Sequence, residues 1–141
     1  MSVPILYHSV SARSLRPLWV FEELGMPYEL HMLAFPPRAH TREYLQVNPL
    51  GTVPALAVDG GIMTESVAMC QYLVAQQPAS PLAMQPGETG FSDYLNFLYF
   101  GEATLTFPQR PAYLRALESE RVAALAQGVS PDPSPAMRPW E

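Results

Sequence analysis

The stretch Asn48-Pro-Leu-Gly-Thr-Val-Pro-Ala-Leu-Ala-Val-Asp-Gly-Gly-Ile-Met-Thr64 packs a turn, a proline-led strand and a hairpin into one run. Ala55 to Val58 and Ile62 to Thr64 are short apolar segments flanking Asp59-Gly60-Gly61. Those turn residues accept the positive φ values that a tight hairpin requires, so the two segments form an antiparallel pair. Val53-Pro54 leads directly into the first of them. Proline has no N–H for a ladder bond, so it fits a sheet edge or a cis turn. With a cis bond the Val53 backbone faces outward, where its N–H and C=O can pair with an extended, peptide-like ligand.

Outward from this stretch the chain alternates in type. Val3 to Tyr7 is a short β-rich apolar run and reads as a buried strand. Ser14 is placed to cap a helix carrying Leu15, Leu18, Trp19, Phe21 and Leu24, with Pro17 tolerated in the first turn and Gly25 as the stop. Tyr28 to Leu33 reads as a second strand, and Thr41 to Val47 as a short helix ending before Asn48-Pro49. After the hairpin, Ser66 to Gln76 sets Val67, Met69, Cys70, Leu73 and Val74 at helical spacing. The order is β-α-β-α-β-β-α. Strand–helix–strand implies a parallel pair, because such a crossover needs a helix. The expected fold is thus an α/β domain with a small mixed sheet covered by helices.

Composition sets the boundaries. The 141 residues are 48% hydrophobic and only 15% charged, which is globular rather than disordered. A net charge of −5 argues against nucleic-acid binding, which needs a basic face. All eight basic residues are arginine, so Schiff-base chemistry and a P-loop lysine are out. The single cysteine, Cys70, rules out an intramolecular disulfide, a CxxC pair and a thiolate zinc site; mid-helix on an apolar stripe, it reads as an inert thiol. No apolar run approaches a membrane span, and the first eight residues are too short and uncharged for a signal peptide, so a cytoplasmic location is expected.

Proline marks the seams. Residues 1–78 form the first domain and 79–88 a linker. Residues 89–127 form a helical region, with an apolar face on Phe91 to Leu105 and a second helix over Pro111 to Gln127. The tail 128–141 has four prolines in nine residues, which no helix or central strand sustains, and is expected to be disordered.

Two helix starts carry candidate chemistry. Thr64-Glu65-Ser66 opens a helix where free N–H groups and the dipole gather anions: Ser66 can bind a carboxylate and Glu65 can accept from an ammonium. Simple capping by Thr64 or Ser66 is the plain alternative. The turn Ser9-Val-Ser-Ala-Arg-Ser14 is rich in hydroxyls at another helix start, where a hydroxyl can donate to a thiolate.

Together these motifs resemble the glutathione transferase family, over residues 3 to about 107. Tyr7 to Gly25, Asn48 to Pro54 and Thr64 to Ser66 match its glutathione-binding half, and Gly101-Glu-Ala-Thr-Leu-Thr106 resembles the first helix of the second domain in bacterial members. The resemblance implies a thioredoxin-like domain followed by an all-α region. By it, Glu65 and Ser66 would hold the γ-glutamyl end of glutathione, and Val53 beside cis Pro54 would pair with the cysteinyl backbone. His40, ahead of the short helix, would meet the glycyl carboxylate. The family places its catalytic hydroxyl or thiol just after strand one; Ser11 fits best and Ser9 second, while Arg13 stands where some bacterial members have cysteine.

The resemblance breaks after Phe107-Pro-Gln109, where Arg110-Pro-Ala-Tyr-Leu-Arg-Ala-Leu117 looks like the last helix of a full-length member brought forward. The helical part thus reads as truncated, and with it much of the wall for a second substrate. The implied function is conjugation of glutathione to a small electrophile, at reduced activity, by a homodimer that needs no metal or redox cofactor. The alternative is a non-catalytic glutathione-binding or interaction domain. A glutaredoxin-like oxidoreductase needs a cysteine after strand one, and none is there.

Overall fold

The computed structural model describes residues 3–106 together with 119, 122, 123, 126 and 127. Two compact units form, Met1–Phe91 and Ser92–Glu141. The first holds a four-stranded sheet ordered β2-β1-β3-β4, with β1 at Ile5–His8, β2 at Glu29–Met32, β3 at Ala55–Val58 and β4 at Gly61–Met63. β1 and β2 run parallel, joined across helix α1 (Leu15–Leu24); β3 pairs antiparallel with both β1 and β4. This is the thioredoxin-like mixed sheet that the element order requires.

Successive strand residues point to opposite faces, and the sheet sorts its core accordingly. Leu6 and Leu56 pack with Phe21 of α1 and with Met69 and Leu73 of helix α3 (Ser66–Ala75). Their neighbours Tyr7 and Ala55 face the other way, against Tyr44 and Val53. The Gln77 side chain donates to the Leu24 carbonyl at 3.0 Å, tying the ends of α1 and α3. Gly25 terminates α1 at φ +60°, and Asp59 and Gly60 take φ +50° and +78° in the hairpin turn, as their residue types require.

Several expectations shift. The helix expected over 41–47 is a 3₁₀ turn, Arg42–Gln46, and an unexpected short helix α2, Pro37–His40, precedes it; Thr41, at φ −136°, ψ +80°, separates the two. Ser14 precedes α1 but its side chain makes no cap bond; it turns back to Ser9 instead. The long helix expected over 91–105 is α4, Phe91–Phe100, continued by a wider π-helical stretch over Gly101–Leu105. Of the helix expected over 111–127, only residues 119, 122, 123, 126 and 127 are described, and the tail 128–141 lies outside the described residues. Among the described residues no helix is long and apolar enough to cross a membrane.

Candidate functional site

Strand direction brings three segments to one end of the sheet. β1 leaves the sheet at His8, and Tyr7 pairs with Ala55, the first residue of β3. The turn after β1 therefore lies level with Val53-Pro54, which precedes Ala55. Leu56 pairs with Met63 at the end of β4, so Thr64-Glu65-Ser66 follows at the same level. The structure closes this junction with a bond spanning 50 positions: Arg16 of α1 donates from Nη1 to Ser66 Oγ at 3.1 Å.

The first segment, Ser9 to Ser14, is a tight turn. The Ser9 N–H donates to Ser14 Oγ at 3.3 Å and Ser14 Oγ donates to the Ser9 carbonyl at 3.4 Å. Ala12 N–H donates to that same carbonyl. This pins Ser9 in the interior, fully buried, with a hydroxyl that has no partner. Ser9 has no surface to offer a ligand. Ser11 differs in both respects: it is exposed and holds φ +58°, a region in which a non-glycine residue is strained. Beside the turn, burial pulls the His8 imidazole below its ordinary pKa, with the Ser14 backbone acting in the opposite sense.

The second segment is the loop 48–54. Asn48, nearly fully buried, donates from Nδ2 to the Thr52 carbonyl at 2.9 Å and to Thr52 Oγ1 at 3.3 Å, and its Oδ1 accepts from the Leu50 N–H at 3.1 Å. The Tyr44 hydroxyl donates to the same Thr52 carbonyl at 2.7 Å. Val53-Pro54 is cis, as the motif predicts, and both residues are buried. A second cis bond, Phe35-Pro36, carries no sequence signal. Gly51 sits at φ +61°, and a Cβ there would lie 2.6 Å from Arg38 Cβ. Sequence reasoning missed Asn48 and Tyr44, which hold the loop. Asn before Pro, with Gly three positions on, was the signal available for the first.

The third segment is the start of α3. Glu65 is the exposed N-cap residue without a side-chain cap bond, and Ser66 is the first helical residue, 5% exposed. His40 is exposed; it ends α2 and stands two residues ahead of the 3₁₀ turn at Arg42, and it is the stem of Arg38 that lies against Gly51. Cys70 is half-buried and its thiol is pushed up to about 11 by that burial, so it is protonated at neutral pH.

The comparisons with known proteins agree with this geometry. The family model described as "Glutathione S-transferase, N-terminal domain" matches residues 10–76, spanning all three segments save Ser9. Glutathione S-transferase 3 of Schizosaccharomyces pombe is 30% identical over 101 residues, 72% of this chain and 42% of that protein. Probable maleylacetoacetate isomerase 2 of Drosophila melanogaster is 48% identical over 46 residues, 33% of this chain and 20% of that one. The chain thus spans less than half the length of these curated relatives. A sphingomonad glutathione S-transferase, solved in complex with glutathione, superposes with a TM-score of 0.68 at 30% identity, over 88% of this chain and 69% of that one. A mixed sheet of this order, with these segments at its end and likeness of this extent, means that the chain belongs to the glutathione S-transferase family.

Proposed function

We propose that this chain binds glutathione at the sheet end and presents its thiol to a small electrophile. The carrying observation is the convergence of the 9–14, 52–54 and 64–66 segments, locked by the Arg16–Ser66 bond. Glu65 and Ser66 take the γ-glutamyl end at the positive end of α3. The Val53 backbone pairs with the cysteinyl residue, and His40 takes the glycyl carboxylate. Ser11 is the hydroxyl that donates to the thiol sulfur. A free thiol titrates near 8.5, so such a donor and the nearby α1 N-terminus raise the thiolate fraction at neutral pH. The thiolate attacks the electrophilic carbon, the carbon–sulfur bond forms, and the leaving group departs with the displaced electron pair. No metal or redox cofactor enters this step.

The 48% identity to the maleylacetoacetate isomerase segment favours one second reading. There the thiolate adds to a conjugated double bond, the bond rotates, and the thiolate leaves, so no glutathione is consumed. Both readings begin at the same thiolate.

Calorimetric titration with glutathione, followed by assays against an activated aryl halide and a conjugated cis-alkene, tests the proposal. Saturable binding with stoichiometric loss of glutathione supports conjugation. Turnover of the alkene at constant glutathione supports isomerisation. Binding without turnover of either selects the non-catalytic alternative, and no binding removes the proposal. Ser66→Ala weakens binding by about 1–3 kcal/mol, the usual loss for a hydrogen bond to a charged group; unchanged affinity with lower thermal stability would make Ser66 a structural residue only.

A further inference from the structure

We infer that Arg16 is a positioning residue for glutathione, acting through Ser66; this rests on the reading of Ser66 as a γ-glutamyl contact. Arg16 sits half-buried in the first turn of α1, and its Nη1 donates to Ser66 Oγ at 3.1 Å. Guanidinium is a donor only. In this contact Ser66 Oγ is therefore the acceptor, and the one proton of the hydroxyl is not spent on Arg16. A carboxylate only accepts, so it calls on that proton and not on the lone pair that Arg16 engages. A hydroxyl polarised by a charged donor is itself a stronger donor, because bonds in a chain reinforce each other at low local dielectric.

A second effect has the same sign. Arg16 brings a full positive charge to the N-terminus of α3, a ten-residue helix whose dipole already favours an anion there. Its field is felt one turn further along α3 as well, where it opposes the upward push that burial gives the Cys70 thiol. The guanidinium therefore joins the first turn of α1 to the first residue of α3. It is held there by geometry that only the folded packing of these two helices supplies.

The test is a double-mutant cycle on the full chain, reading the Kd for glutathione by calorimetry. Arg16→Met is expected to weaken binding about tenfold, as expected for losing a charge-assisted bond, while in a Ser66→Ala background the same change costs less than about threefold. Under saturating glutathione Arg16→Met leaves kcat unchanged and raises KM. Arg16→Gln, which keeps a donor and most of the stem, gives an intermediate loss if Arg16→Met fails to fold. Equal losses in both backgrounds, or no loss in the first, overturn the inference while leaving the glutathione reading intact. Wild-type protein that does not bind glutathione fails the underlying reading instead, and the inference falls with it.

Discussion

Ser11 combines solvent exposure with a backbone angle of φ +58°. The angle costs the fold some strain. Two substitutions separate the contributions. Ser11→Ala and Ser11→Gly both remove the donor and are expected to raise the pKa of bound glutathione by about one unit, or about 1.4 kcal/mol. Only Ser11→Gly relaxes the backbone, so it melts higher than Ser11→Ala. Ultraviolet titration of the thiolate and a thermal melt read both, and an unmoved thiol pKa would dismiss Ser11 as the donor. His8 sets a pH dependence of stability. Its folded-state pKa lies below the ordinary value of 6.5 because burial penalises the charged ring. The unfolded chain therefore binds the proton first as pH falls. The stability that neutral His8 confers is complete above 6.5 and is lost as pH drops through the folded value. Denaturant melts from pH 7.5 down to 5 should show that decline, and His8→Gln should flatten it.

At the scale of elements, nameable contacts hold the 48–54 loop. Asn48 and Tyr44 both bond to the Thr52 carbonyl, and Gly51 occupies a place where both φ and space exclude a side chain. Gly51→Ala must strain its backbone and displace Arg38, an expected loss of about 1–3 kcal/mol, with weaker glutathione binding because Val53 follows two residues later. Asn48→Ala should give a similar loss by stranding the Leu50 and Thr52 groups. Denaturation midpoints and calorimetry check both variants. Legibility in the sequence follows the range of the forces involved. The hairpin at Asp59-Gly60, the stop at Gly25 and the order of the elements are local signals, dictated by which residues tolerate positive φ and by apolar spacing, and they could be read directly. The cis bond at Val53-Pro54 was legible from its place ahead of a strand. Its counterpart at Phe35-Pro36 had no such context, and neither the break at Thr41 nor the π-helical widening at Gly101 leaves a pattern in apolar spacing. The Ser14 hydroxyl had two possible partners, the helix start or the Ser9 backbone, and only the path of the turn decides between them. The Arg16–Ser66 contact spans 50 positions and exists only because α1 and α3 pack on one face of the sheet.

For the molecule as a whole, the described residues of the two units differ in how completely they are buried. In the first, Leu6, Phe21, Leu56, Met69 and Leu73 are fully buried beneath the sheet. In the second, Phe97 is 71% exposed, Tyr99 52% and Leu105 54%, and α4 buries no residue fully. Leu95, Asn96, Tyr99, Phe100, Ala103 and Thr104 line an open groove of about 430 Å³. Burial of one such side chain is worth about 1.5–3 kcal/mol, so covering several of them supplies a substantial driving force for association. A two-fold pairing of identical chains is the commonest way to close such a surface. Sedimentation across a wide concentration range is expected to shift from 15.6 kDa towards about twice that mass. Phe97→Ser combined with Leu105→Ser should hold the protein at the lower mass. A single species of 15.6 kDa at every concentration would show that α4 needs no partner.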